Sequence, residues 1–226
     1  MQLYLQRFII LLIAIMPLLT PIRPDIGWIN TAPELFKTAW GVSTVFIALS
    51  WWLFSQYKSQ EVRLVKTQVY YPIFGFLIWA YITLLWVEDG YLATVMLAQF
   101  SASAVIFFLI INTFKDGNLI EKILKYLALS MALVSVIGLV QYYNPDSYFI
   151  QNLFAQAAKP ASTFGNKNMA SHFVVMLLPI SIALMLLSKK NAVLIYYSVL
   201  IILGFWFLMN AAARQAWVAM AVELAI

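Results

Sequence analysis

Residues 161–187 read ASTFGNKNMASHFVVMLLPISIALMLL. The first dozen, Ala161 to His172, form a polar hinge carrying Gly165, and it opens directly into the apolar run from Phe173 to Leu187. An apolar run of that length, extended by the residues before it, suits a helix crossing a bilayer. Polar side chains gathered at the mouth of such a helix are costly unless they meet headgroups, water or a ligand. This junction therefore indicates both a membrane fold and the place where function concentrates.

The rest of the chain has the same solvent. Of its 226 residues, 64% are hydrophobic and only 10% charged, with a mean hydropathy of +0.87. A soluble domain is nearer half apolar and a quarter charged. There are too few charges here to cover a water-facing surface. Eight Trp, twelve Tyr and sixteen Phe fit a bilayer, whose interfaces favour aromatic rings. The net charge of +5 does not indicate nucleic acid, because the cations fall in short segments between apolar runs and form no basic face. The absence of cysteine excludes disulfides and thiol chemistry.

Hydropathy predicts an all-α, polytopic membrane bundle of about eight transmembrane helices, over 6–22, 38–56, 70–87, 91–113, 123–141, 170–187, 192–209 and 211–226. Helices are expected because lipid offers no partner to an unpaired backbone group. The first run resembles a signal peptide in having Arg7 ahead of it, but no small-x-small cleavage site follows, so we read it as a retained helix. The last run stops at Ile226 without cap or flanking charge, which we read as an incomplete span of a longer protein. With no internal repeat or linker, 1–226 reads as a single transmembrane domain. Its longest connection is an outer loop over 142–169, where Tyr148, Phe149, Leu153 and Phe154 are expected to lay a short helix on the membrane.

Lysine and arginine set the orientation. With the N-terminus cytoplasmic, nine cations fall inside (Arg7, Lys58, Arg63, Lys66, Lys115, Lys122, Lys125, Lys189, Lys190) and five outside (Arg23, Lys37, Lys159, Lys167, Arg214). The acidic turn Glu88-Asp89-Gly90 falls outside, in agreement.

Neither nucleotide-binding glycine motifs nor metal-ligand spacings occur, and there is one His, so no metal or cofactor is expected. At 164–172, Gly165 supplies a backbone conformation other residues avoid, and Asn166 and Asn168 are candidate caps for the next helix. With Lys167 beside them, the free N–H groups of that helix start can hold an anion; the plainer reading is a cap and nothing more. Arg214 stands near the outer start of the last run, where it either meets phosphate oxygens or snorkels to headgroups. Lys159, Lys167 and Arg214 together would attract a diphosphate if they converge. His172 reads first as a packed or hydrogen-bonded residue, with catalysis the lesser alternative. Glu223 lies about 13 Å further along the helix from Arg214 and on its opposite face, so the two do not pair. Ser101, Ser103, Ser130 and Ser135 are expected to pack and hydrogen-bond between helices, and Pro179 to kink its helix while neighbouring helices absorb the defect.

The run Pro160-Ala161-Ser162-Thr163-Phe164-Gly165-Asn166-Lys167-Asn168-Met169-Ala170, followed by Leu177-Leu178-Pro179, resembles the TFGNxN…LLP hallmark of the O-antigen ligase, O-antigen polymerase and pilin-type oligosaccharyltransferase superfamily. Ala213-Arg214-Gln215-Ala216-Trp217 resembles that family's SRgaW element, with Ala213 and Gln215 standing where the family has Ser or Thr and Gly. The resemblance is concentrated in 160–220. It implies a metal-independent glycosyltransferase in the bacterial inner membrane. Such an enzyme moves a glycan from an undecaprenyl-diphosphate carrier to a lipid, polysaccharide or protein acceptor at the periplasmic face. It also implies diphosphate contact by Arg214 and a donor entrance shaped by Asn166, Lys167 and Asn168; Gly165, Lys159 and His172 are added as supporting candidates from their own chemistry, His172 not standing where the family has its histidine. The family's further arginine and general-base histidine lie in a later outer loop onto which nothing here maps, so this chain alone is expected to be inactive. The alternatives are a transporter or flippase for a lipid-linked glycan, which would call for ionisable residues at the midplane and repeated halves, and a remnant without activity.

Overall fold

The computed structural model describes residues 2–19, 33–60, 64–114, 117–145 and 160–225. Among these there is no strand. The helices are α1 (Gln2–Ile15), α2 (Pro33–Ser59), α3 (Tyr70–Thr83), α4 (Gly90–Thr113), α5 (Gly117–Tyr143), α6 (Lys167–Leu186), α7 (Asn191–Ala211) and α8 (Arg214–Ala225), with 3₁₀ turns at Met16–Leu18 and Ser162–Phe164. Five stretches are long and apolar enough to cross a membrane: Thr38–Ser59 of α2, and α4, α5, α6 and α7. The first expected span, 6–22, corresponds to the apolar stretch Gln2–Leu18, equally long but begun four residues earlier, with 20–22 outside the described residues, and the expected span 70–87 appears as the shorter apolar helix Tyr70–Thr83. At 1.5 Å per residue, the 14 residues of α3 rise about 21 Å, less than a hydrocarbon core. The twelve residues of α8 are shorter still.

The chain divides into two compact units, Met1–Leu12 with Lys37–Ile120 and Ile13–Phe36 with Glu121–Ile226. In the first, α3 and α4 pack antiparallel. Tyr81 Oη and Ser101 Oγ lie 2.9 Å apart, and at the other end Asn112 Nδ2 donates to Tyr70 Oη at 2.9 Å. Buried Asn112 also accepts from Val65 N–H at 2.8 Å, which ties the extended segment after α2 to the end of α4. Asp89 caps α4 by accepting from Leu92 N–H. Tyr71, Trp79, Leu85 and Trp86 are exposed, the arrangement expected of rings and aliphatics that face lipid.

The second unit is built on α5, α6 and α7. A Cβ at Gly204 of α7 would stand 3.1 Å from Leu178 and 3.3 Å from Val174 of α6, and Ser198 Oγ donates to Met185 Sδ at 3.4 Å. Late α7 therefore meets early α6, and early α7 meets late α6; the pair is antiparallel. Close approach at small residues is how helices gain packing energy in lipid, where burial alone offers little. Gly138 of α5 likewise sits under the Phe207 ring of α7, at 2.2 Å from where a Cβ would be, and one turn on Tyr143 reaches Asn210. So α5 runs parallel to α7. Met131, Val134, Val174, Leu178, Phe207 and Leu208 form the centre of the shared core. Ser130 bonds Ala14 O and Ser101 bonds Tyr81, as expected of interhelical serines. Ser103 and Ser135 instead bond back to carbonyls of their own helices, Gln99 and Met131, which satisfies a hydroxyl without a neighbour. Pro179 is accommodated inside α6, which continues to Leu186.

Candidate functional site

The helix directions of the second unit bring separate sequence segments to one end. Because α6 and α7 are antiparallel, Ala211 at the end of α7 lies at the level of Ala170 at the start of α6, and both are fully buried. Ala212 then turns the chain in the left-handed conformation, φ 47°, and α8 begins at Arg214. The buried faces of Ala213 and Ala216 pack α8 into the same core as Ala170 and Val174. The starts of α6 and α8 thus share an end, and the end of α5 joins them there. The opposite end carries Lys122 and Lys125 of α5, with Lys189 and Lys190 before α7.

At the shared end, the segment before α6 is split between burial and exposure. Ser162 and Thr163 are buried. Ser162 N–H donates to Gln141 Oε1 at 2.6 Å, its carbonyl accepts from Gln141 Nε2 at 3.1 Å, and its hydroxyl donates to Val134 O at 2.6 Å. Thr163 Oγ1 donates to Pro17 O at 2.5 Å. Phe164 folds back on Phe173, ring centroids 5.3 Å apart. Gly165 then adopts φ 69°, the left-handed region anticipated for it, and Asn166 follows in extended conformation as the cap of α6. Asn166 Oδ1 accepts from Asn168 N–H at 2.9 Å, and Asn166 O accepts from Ala170 N–H at 3.1 Å.

Of the two expected caps, then, Asn166 performs the task; Asn168 lies in the first turn with an exposed side chain. His172, one turn on from Asn168, is also exposed, which removes the reading of it as a packed residue. Lys167 is half-buried and Arg214 is exposed. The helix geometry brings Gly165, Asn166, Lys167, Asn168, His172 and Arg214 to one end of the unit. Lys159, the rest of 146–159 and the expected surface helix there lie outside the described residues. Glu223 Oε2 is buried without a hydrogen-bond partner.

The two helix starts direct backbone N–H groups and positive dipole ends outward, beside a lysine and an arginine. That combination favours an anion. No group of three or more His, Cys, Asp or Glu able to hold a metal ion occurs among the described residues.

Two further features of this end escaped the sequence. Gln141 is 3% exposed and binds Ser162 through both atoms of its amide. An amide near the close of an apolar span was its only signal. Tyr143 and Trp206 form a half-exposed aromatic pair, with Trp206 Nε1 donating to Tyr143 Oη at 3.1 Å and Asn210 Nδ2 bonding Trp206 O at 2.8 Å. Comparison with protein-family models, curated proteins and solved structures returns no match.

Proposed function

We propose that this chain supplies the donor side of a membrane glycosyltransferase of the O-antigen ligase and polymerase type, taking its glycan from an undecaprenyl-diphosphate carrier, and that it is inactive by itself because no residue here maps onto that family's general base. In this reading the chain has about eight spans in a bacterial inner membrane, its N-terminus cytoplasmic and the α6 and α8 starts at the periplasmic headgroup level. Lysines 122, 125, 189 and 190 at the opposite end fit that orientation. The observation that carries the proposal is that two motifs, Asn166-Lys167-Asn168 and Arg214, separated by more than forty residues of sequence, begin two helices at the same end of one unit.

The chemistry suits that placement. An acceptor hydroxyl attacks the anomeric carbon of the donor sugar and gives up its proton to a general base, a role assigned to no residue of this chain. The carbon–oxygen bond to phosphate breaks, and its electron pair leaves on the lipid diphosphate. Arg214 binds that diphosphate bidentately and stabilises the charge that develops on it. Asn166, Lys167 and Asn168 shape the entrance for the donor, with Gly165, Lys159 and His172 in support. The acceptor is a lipid, a polysaccharide or a protein.

In cells whose glycan transfer depends on the protein, Arg214→Ala abolishes that transfer while membrane levels hold, and Arg214→Lys, a point charge without the fork, restores little. Transfer at parental level by Arg214→Ala removes the proposed role. Uptake of labelled lipid-linked glycan into proteoliposomes without transfer would favour a transporter instead.

A further inference from the structure

We infer that Gln141 is the positioning residue for the anion site at the mouth of α6, acting through Ser162; the inference rests on the site proposed above. The covalent link between α5 and α6 is long, running from Asn144 to Asn166, so chain continuity does not fix where α6 opens. The body of α6 is held by α7 through Val174, Leu178 and Gly204, which lie about two turns or more deeper. The segment just ahead of the cap is held to α5 by the reciprocal amide pair between Gln141 and Ser162 and by the Ser162 hydroxyl on Val134 O, with Thr163 on Pro17 O beside them. Of these, the amide pair fixes the backbone of Ser162 on both sides.

Ser162 carries the mark of that constraint. Its φ of 51° is a conformation L residues avoid, and such a residue persists only where its surroundings over-determine it. They do: its amide, carbonyl and hydroxyl are all bonded, and the residue is 1% exposed. Three residues separate Ser162 from Asn166, and Phe164 N–H closes a turn onto Ala161 O at 3.1 Å within them. Little slack remains, so the height of Ser162 on α5 sets the height of Asn166, Lys167 and Asn168. Gln141 touches no proposed ligand itself. It takes hold of the strand of chain that presents those residues.

The test uses the chain in lipid nanodiscs, with amide hydrogen exchange and binding of farnesyl diphosphate, a soluble prenyl diphosphate, measured on the same samples. Gln141→Met keeps the volume of the side chain and removes both hydrogen bonds. Exchange over 161–170 accelerates roughly tenfold or more, exchange over 197–208 stays at the parental rate, and farnesyl diphosphate binds several-fold more weakly. Ser162→Gly keeps both bonds to Gln141, relieves the left-handed conformation and loses the bond to Val134; it stays close to the parent in both readouts. Unchanged exchange in Gln141→Met overturns the inference. So do acceleration over both segments, which means a general loss of fold, and equal losses in Ser162→Gly, which transfer the role to the Val134 bond. Faster exchange over 161–170 with unchanged affinity overturns the link to the site. A parent chain that binds no farnesyl diphosphate sinks the anion reading, and exchange alone then decides whether Gln141 holds the mouth of α6.

Discussion

At one end of the second unit stand Lys122, Lys125, Lys189 and Lys190; at the other stand Asn166, Lys167, Asn168 and Arg214. The lysine end is loosely made. Lys125 pairs with Glu121 four residues earlier at 2.6 Å, both half-exposed, and the turn before α7 is short and exposed. The other end is held by buried hydrogen bonds, two left-handed residues within the 160–170 segment, a third between α7 and α8, and a capped helix start. Charge without geometry is enough to orient a helix in a membrane. Charge on a fixed scaffold is what a binding site needs. Under the proposed function, the difference separates residues that would set topology from residues that would present a ligand site.

Substitutions can break that contrast or sharpen it. The largest stability loss is expected where α5 meets α7 near the constrained end. Gly138→Ala drives a methyl into the Phe207 ring, which is fully buried and has no room to yield. A loss of about 1–3 kcal/mol is expected in unfolding from detergent micelles; no loss would mean that the helices part easily there. Next come the left-handed positions, which should respond with opposite signs. Gly165→Ala, at φ 69°, costs about 1 kcal/mol, whereas Ala212→Gly, at φ 47°, stabilises by roughly 0.5–1 kcal/mol. Equal signs in the same unfolding assay would show that these turns are not constrained as described. The smallest effect belongs to the lysine end. Lys125→Ala removes an exposed pair within one helix and costs about 0.2–0.5 kcal/mol.

The membrane character of the chain was legible because it rests on composition, which needs no tertiary information. Gly165 and Asn166 were legible for a local reason: a left-handed residue and a cap act within a few residues of themselves. The bond from Gln141 to Ser162 was not, since its partners lie 21 residues apart and leave no periodic trace. The same holds for Tyr143 with Trp206 and Asn210, 63 and 67 residues away. The apolar run at 70–87 was read as a longer helix than occurs. Hydropathy does not register that α3 stops at Thr83 and passes into turns through Trp86. Arg214 was placed near the start of a helix by sequence; that this start faces the same way as that of α6 required the direction of α7.

The account depends on the α6 and α8 starts lying at the outer headgroup level, opposite the lysine end. The chain has no cysteine, so single cysteines can be introduced without background. Asn168→Cys, Arg214→Cys and Lys189→Cys variants, exposed in intact cells to a membrane-impermeant maleimide, test this directly. The account predicts labelling at positions 168 and 214 from outside, and at 189 only after the membrane is opened. Labelling of 189 in intact cells, or protection of 168 and 214 until permeabilisation, would contradict it.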